Sequence, residues 1–181
     1  MKILICSLLL SYSLHAEESK VEKVTRSQGY FMEMTKVLQH PRCLNCHPAG
    51  NQPTQGMDLH VHQMNVQRGP HDDGNVGMRC ATCHHDENND VAGVPGAPHW
   101  KLAPKSMAWQ GLSKRELCLA LKDKKKNHGM TLEKLIEHNG EDKLVGWGWH
   151  PGKGREPVPG TQKEFGELTK RWVESGAECP K

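Results

Sequence analysis

Cys43-Leu44-Asn45-Cys46-His47 and Cys80-Ala81-Thr82-Cys83-His84 are two copies of one pattern, C-x-x-C-H, set 37 positions apart in a chain of 181 residues. The pattern is the attachment signature of a c-type haem. Two thiols add across the two vinyl groups of one porphyrin, and the His after the second thiol is held under the iron as its proximal ligand. Two C-x-x-C pairs would also suit a structural zinc held by four thiolates, and a single pair suits thiol redox chemistry. Neither requires the trailing His. With 12 His in 181 residues, His after both pairs by chance has a probability of about 0.4%. No βαβ pattern surrounds either pair. The expectation is two covalent haem c groups on Cys43, Cys46, Cys80 and Cys83, with His47 and His84 as proximal iron ligands.

The first residues point to the compartment. Lys2 precedes an apolar run from Ile3 to Leu14, followed by Leu14-His15-Ala16. This reads as a secretory signal peptide, 1–16, cleaved after Ala16. The run is too short to span a bilayer, so no stable membrane span is expected. Covalent haem attachment happens outside the cytoplasm, and a bacterial periplasm is the expected location. The remainder, 17–181, is long enough for one dihaem domain. Its formal charge of about +2 gives no basis for nucleic-acid binding.

Leu, Ile, Val and Phe make up about 16% of the residues after Ala16, below the roughly 20% that ordinary folded domains exceed. Such a chain buries little apolar surface against its conformational entropy. Low net charge argues against simple disorder. The expected fold class is mainly α and loop-rich, with the two haems forming much of the core and an apo chain that does not fold.

Helical patterning comes in patches. Apolar spacing at Val24, Phe31, Met34, Val37 and Leu38 predicts a helix from Val24 to Gln39, ending before Pro41. The stretch from Pro41 to Pro98 is rich in Gly, Pro, Asn and Asp and reads as loop. A capping box, Ser113 with Glu116, predicts a helix to about Lys126. A short helix from Thr131 to His138 is expected to stop at Asn139-Gly140. Val145 to Gly160 reads as loop, and Thr161 with Glu164 opens a last helix running to Ser175-Gly176. No strand of consequence is expected.

Two thiols remain, Cys118 and Cys179. In an oxidising compartment they are expected to pair; free buried thiols, or a thiolate on iron, are the alternatives. The far side of each iron needs His or Met for electron transfer, or stays open for ligand chemistry. His62 lies 15 residues past His47 and has chain enough to pass round the first porphyrin. His138, at a helix end, is suited to the second. His60, His85 and Met107 are further candidates. Of the five Trp, Trp172 reads as core, and Trp147 and Trp149 as residues near haem or core.

The chain resembles a family of small periplasmic dihaem cytochromes c, some labelled isoquinoline 1-oxidoreductase subunits. The likeness rests on the two haem motifs, Arg68-Gly69, Pro95-Gly96-Ala97-Pro98 with Trp100, and Leu102-Ala103-Pro104. It continues through Met107-Ala108-Trp109, Leu144-Val145-Gly146-Trp147-Gly148-Trp149 and Gly176-Ala177-Glu178-Cys179-Pro180. The resemblance implies an electron-transfer partner of a periplasmic redox enzyme, such as a molybdenum hydroxylase, passing electrons to a downstream acceptor. Nothing in the chain resembles a molybdenum-binding domain. A weaker likeness is to the small dihaem subunit of periplasmic nitrate reductase. The expected function is therefore electron carriage, not catalysis. The rival reading is a haem enzyme or gas sensor, peroxidase-like, with one iron open.

Overall fold

The computed structural model describes residues 19–181, and the expected export signal, 1–16, lies outside them. The described chain is mainly helical. The first helix, α1 (Lys20–Leu38), starts earlier than the apolar spacing suggested. Its start is set by a capping box: Ser19 Oγ accepts from the Glu22 N–H, and the Glu22 carboxylate accepts from the Ser19 N–H at 2.9 Å. A second helix, α2 (Pro41–Cys46), lies where loop was expected. Pro41 opens it, at the position where a missing N–H costs nothing.

Helix α3 (Lys114–Lys122) has the expected Ser113–Glu116 box but ends four residues early. Buried Asn127 explains the stop, since its side-chain amide donates to the carbonyls of Leu121 and Met130 and closes the chain into a turn. The remaining helices are α4 (Leu132–Glu141), α5 (Lys143–Gly146) and α6 (Gln162–Glu174). The short α5 and the 3-10 turn Trp147–Trp149 replace part of the expected Trp/Gly loop. The Asp142 carboxylate starts α5 by accepting from the N–H groups of Leu144 and Val145.

Phe31, Met34 and Leu38 of α1 meet Leu117 and Leu121 of α3, Leu135 of α4, and Phe165 and Trp172 of α6 in one buried cluster. Fully burying such a side chain contributes about 1.5–3 kcal/mol. The helices thus have a core of protein side chains. Cys118, buried in α3, is bonded to Cys179 beyond α6.

Asn139-Gly140 does not end α4. Instead Gly140 meets Gly166 of α6, and a Cβ built on Gly166 would stand 2.6 Å from the Gly140 Cα. Beside this crossing, Asn139 Nδ2 donates to Thr169 Oγ1 at 3.0 Å in the buried interface. Gly166→Ala is therefore expected to cost roughly 1–3 kcal/mol through forced separation of the helices. A chemical denaturation midpoint equal to that of the parent would show that the crossing tolerates a methyl group.

The stretch between α2 and α3 is built differently. It holds two antiparallel hairpins of two-residue strands, β1 (Thr54–Gln55) with β2 (His60–Val61) and β3 (Gly74–Asn75) with β4 (Met78–Arg79). Pro48 and Ala97 are the only apolar side chains buried between Leu38 and Leu102, glycines aside. Meanwhile Met57, Val61, Met64, Val76, Met78 and Val91 are exposed. The helices close their own core, and this segment does not.

Candidate cofactor site

Helix α2 carries the first motif. Cys43 and Cys46, three apart on a helix, share one face. His47 follows as the C-terminal cap. Its Nδ1 lies 2.6 Å from the Met107 carbonyl oxygen. A carbonyl only accepts, so Nδ1 carries the proton and Nε2 presents its lone pair. The same ring stacks on Trp109, with centres 3.3 Å apart and planes 11° from parallel. The backbone of 103–110 runs along the motif: Ala103 N–H donates to the Cys46 carbonyl and Trp109 N–H to that of His47, both at 3.0 Å.

The second motif repeats the arrangement on a 3-10 turn, Cys80–Thr82. His84 Nδ1 donates to the Pro95 carbonyl at 2.7 Å. Its ring stacks on Trp100, with centres 4.5 Å apart and planes 6° from parallel. Trp147 meets Trp100 edge-on and donates its indole N–H to Asn88 Oδ1 at 3.1 Å. Trp149 instead packs on Phe165 in the helical core. Two imidazoles thus have Nδ1 capped and Nε2 available, the disposition that metal-ligating histidines adopt.

Burial lowers the His47 pKa to about 3 and also lowers that of His84, so both rings are neutral at neutral pH, as metal ligation requires. Burial pushes the Cys43 thiol up to about 12 and Cys46 to about 11, with nearby Cys80 raising Cys46 further. That influence shows the two motifs to be neighbours. All four motif cysteines are unpaired, while Cys118 and Cys179 are bonded. Among the described residues no three His, Cys, Asp or Glu side chains gather as a metal site. The four thiols are thus not arranged as the tetrahedron of a structural zinc.

Of the histidines expected on the far side of iron, His62 lies beside the second motif. Its ring centre is 6.0 Å from that of His84, with planes 72° apart. His62 Nδ1 donates to the Gln63 carbonyl at 2.7 Å, which again leaves Nε2 available. His138 lies near enough to His47 to depress its pKa. His138 Nδ1 sits 3.5 Å from Asp142 Oδ2, and the hydrogen bond from His138 is the main cause that lowers the Asp142 pKa to about 2. Thus His62 lies by His84, and His138 is near enough to His47 to act on it, whereas the sequence suggests His62 for the first motif and His138 for the second. Hairpin β1–β2 packs on α2, with Asn45 donating to the Gly56 carbonyl and Thr54 Oγ1 donating to Asn45 Oδ1, and the chain beyond it brings His62 beside His84.

Met107 stands behind His47, its carbonyl on the ring's Nδ1, so its backbone belongs to the proximal side. His60 is exposed and tied to Asp58 at 2.6 Å. His85 is exposed.

The residues without a role legible from the sequence are Trp100, Trp109 and Arg68. Arg68 is buried, with its Nη1 bonded to Asp72 and to the Ala103 carbonyl. Its Nε and Nη2, and the indole N–H of Trp109, are buried without partners. Together with the 48–101 segment, which buries few side chains and leaves Met57, Val61, Met64, Val76, Met78 and Val91 exposed, these features fit a large, flat, partly anionic group at the motifs.

No family model, curated protein or solved structure matches the chain. No helix among the described residues is long and apolar enough to cross a membrane.

Proposed function

We propose that the chain is a periplasmic dihaem c-type cytochrome, carrying electrons from a dehydrogenase, such as a molybdenum hydroxylase, to a downstream acceptor. The observation that carries this reading is the repetition of one local design. Each C-x-x-C-H motif ends in a neutral imidazole with Nδ1 on a backbone carbonyl and its face on a Trp ring. The haem, when bound, supplies a one-electron couple whose potential depends on axial ligands, burial and hydrogen bonding.

This chain's residues do the rest. Cys43, Cys46, Cys80 and Cys83 anchor the groups covalently. The Met107 and Pro95 carbonyls fix the tautomers of His47 and His84 and raise the basicity of Nε2. Trp109 and Trp100 hold the two rings against rotation. His62 would be the far-side ligand at the His84 site, and His138 is the candidate at the His47 site. Metal–nitrogen bonds of about 2 Å put two imidazoles that share one metal roughly 6 Å apart between ring centres, close to the 6.0 Å between His62 and His84. Irons that took a second His each would have no open site, which would favour electron transfer over peroxidase or sensor chemistry.

The test is haem counting after production with haem-attachment machinery. Two covalent haems per chain are expected, retained on a denaturing gel. Cys80→Ala with Cys83→Ala should retain one. A parent chain carrying no covalent haem would refute the reading.

A further inference from the structure

We infer that Arg68 and Trp109 form a carboxylate clamp for the propionates of the haem at the first motif. The inference rests on the cytochrome reading and adds a binding role for two residues outside the attachment motifs.

Arg68 is 7% exposed and so is Trp109. A buried guanidinium with unmet N–H groups is costly, since each unmet donor forfeits its bond to water and gains nothing in return. Asp72 Oδ1 and the Ala103 carbonyl both take Nη1, leaving Nε and Nη2 unpartnered. Nε and Nη2 form one edge of the guanidinium fork, and that edge matches the two oxygens of a carboxylate. The Trp109 indole N–H is a third buried donor without a partner.

Backbone contacts bring these donors to one motif. Arg68 bonds the Ala103 carbonyl, and the Ala103 N–H bonds the Cys46 carbonyl. Trp109 lies on the face of His47 and donates its backbone N–H to the His47 carbonyl. The unmet donors therefore converge on the Cys46-His47 end of α2. The group attached there carries two carboxylates, and an anion there would satisfy Arg68 without unbinding Asp72. At the second motif no buried side-chain donor is left without a partner among the described residues.

The test uses the full holoprotein, with haem labelled by carbon-13 at the propionate carboxyl carbons through its biosynthetic precursor. Redox-triggered infrared difference spectra then report the labelled carboxylates alone. The parent, Arg68→Gln and Trp109→Phe are compared, each checked for two haems per chain. Phe keeps an aromatic ring on His47 and removes only the N–H. We expect Arg68→Gln to move one labelled carboxylate band by several wavenumbers, and Trp109→Phe to move the same band less. Identical labelled bands in all three proteins would overturn the clamp while the cytochrome reading stands. If Arg68→Gln fails to assemble, an unmoved band in Trp109→Phe overturns it. A parent with no covalent haem overturns both the clamp and the reading beneath it.

Discussion

Replacing His62 with alanine is expected to turn one of the two haems into a high-spin centre that binds carbon monoxide, and to leave the other low-spin. The affected haem should be the one anchored by Cys80 and Cys83. His62 and His84 have ring centres 6.0 Å apart, and each has its Nδ1 occupied by a carbonyl. Removing one imidazole leaves five-coordinate iron, and the visible spectrum of the reduced protein with carbon monoxide should change for half of the haem. The potential of that haem should shift, since the axial ligand set is one of its main determinants. Should the parent itself bind carbon monoxide, one iron would already be open and the enzyme or sensor reading would gain ground. A variant blind to carbon monoxide would show that His62 is not the ligand.

The second large effect concerns the bond between Cys118 and Cys179, which closes a loop with a sequence separation of 61. A cross-link of that span stabilises by about 4 kcal/mol in the chain-entropy account. Replacing both cysteines with alanine should lower the chemical denaturation free energy by about that amount and leave the haem count at two. The C-terminal tail has other ties: Glu178 N–H donates to Ser27 Oγ, Gln28 donates to the Cys179 carbonyl, and Trp172 donates its indole N–H to the Glu178 carbonyl. A loss below about 1 kcal/mol would mean that these hydrogen bonds, and not the cross-link, hold the tail.

How far these features were legible in the sequence depends on the range of the interaction. Local devices read well. Ser113 with Glu116 marked the start of α3, and Thr161 marked that of α6, because a cap uses residues three apart. Ser19 with Glu22 carried the same signal at α1, but apolar spacing beginning at Val24 drew attention away from it. Asn139-Gly140 misled for a physical reason. The dipeptide is a stop signal locally, yet Gly140 serves a helix crossing with Gly166, and Asn139 serves Thr169. The proposed attachment residues stand out in the sequence because C-x-x-C-H is a contiguous pattern. The Trp rings were not, since Trp109 is 62 positions from the His47 it stacks on. The nearness of His62 to His84 was equally hidden, because it follows a two-residue hairpin with no pattern of its own.

For an exported dihaem protein, the reading proposed above, the nearness of His62 to His84 would set an order of assembly. A chain exported from its N-terminus releases His62 only 22 positions ahead of His84, so both rings of the second site emerge almost together. His47, by contrast, waits for His138, 91 positions later. Closing the longer loop costs about 1 kcal/mol more in entropy, and it must wait for α4 to leave the translocation pore. The motif that is second in sequence is therefore the first whose far-side residue is at hand. The N-terminal motif would complete its surroundings only once the chain had crossed as far as His138.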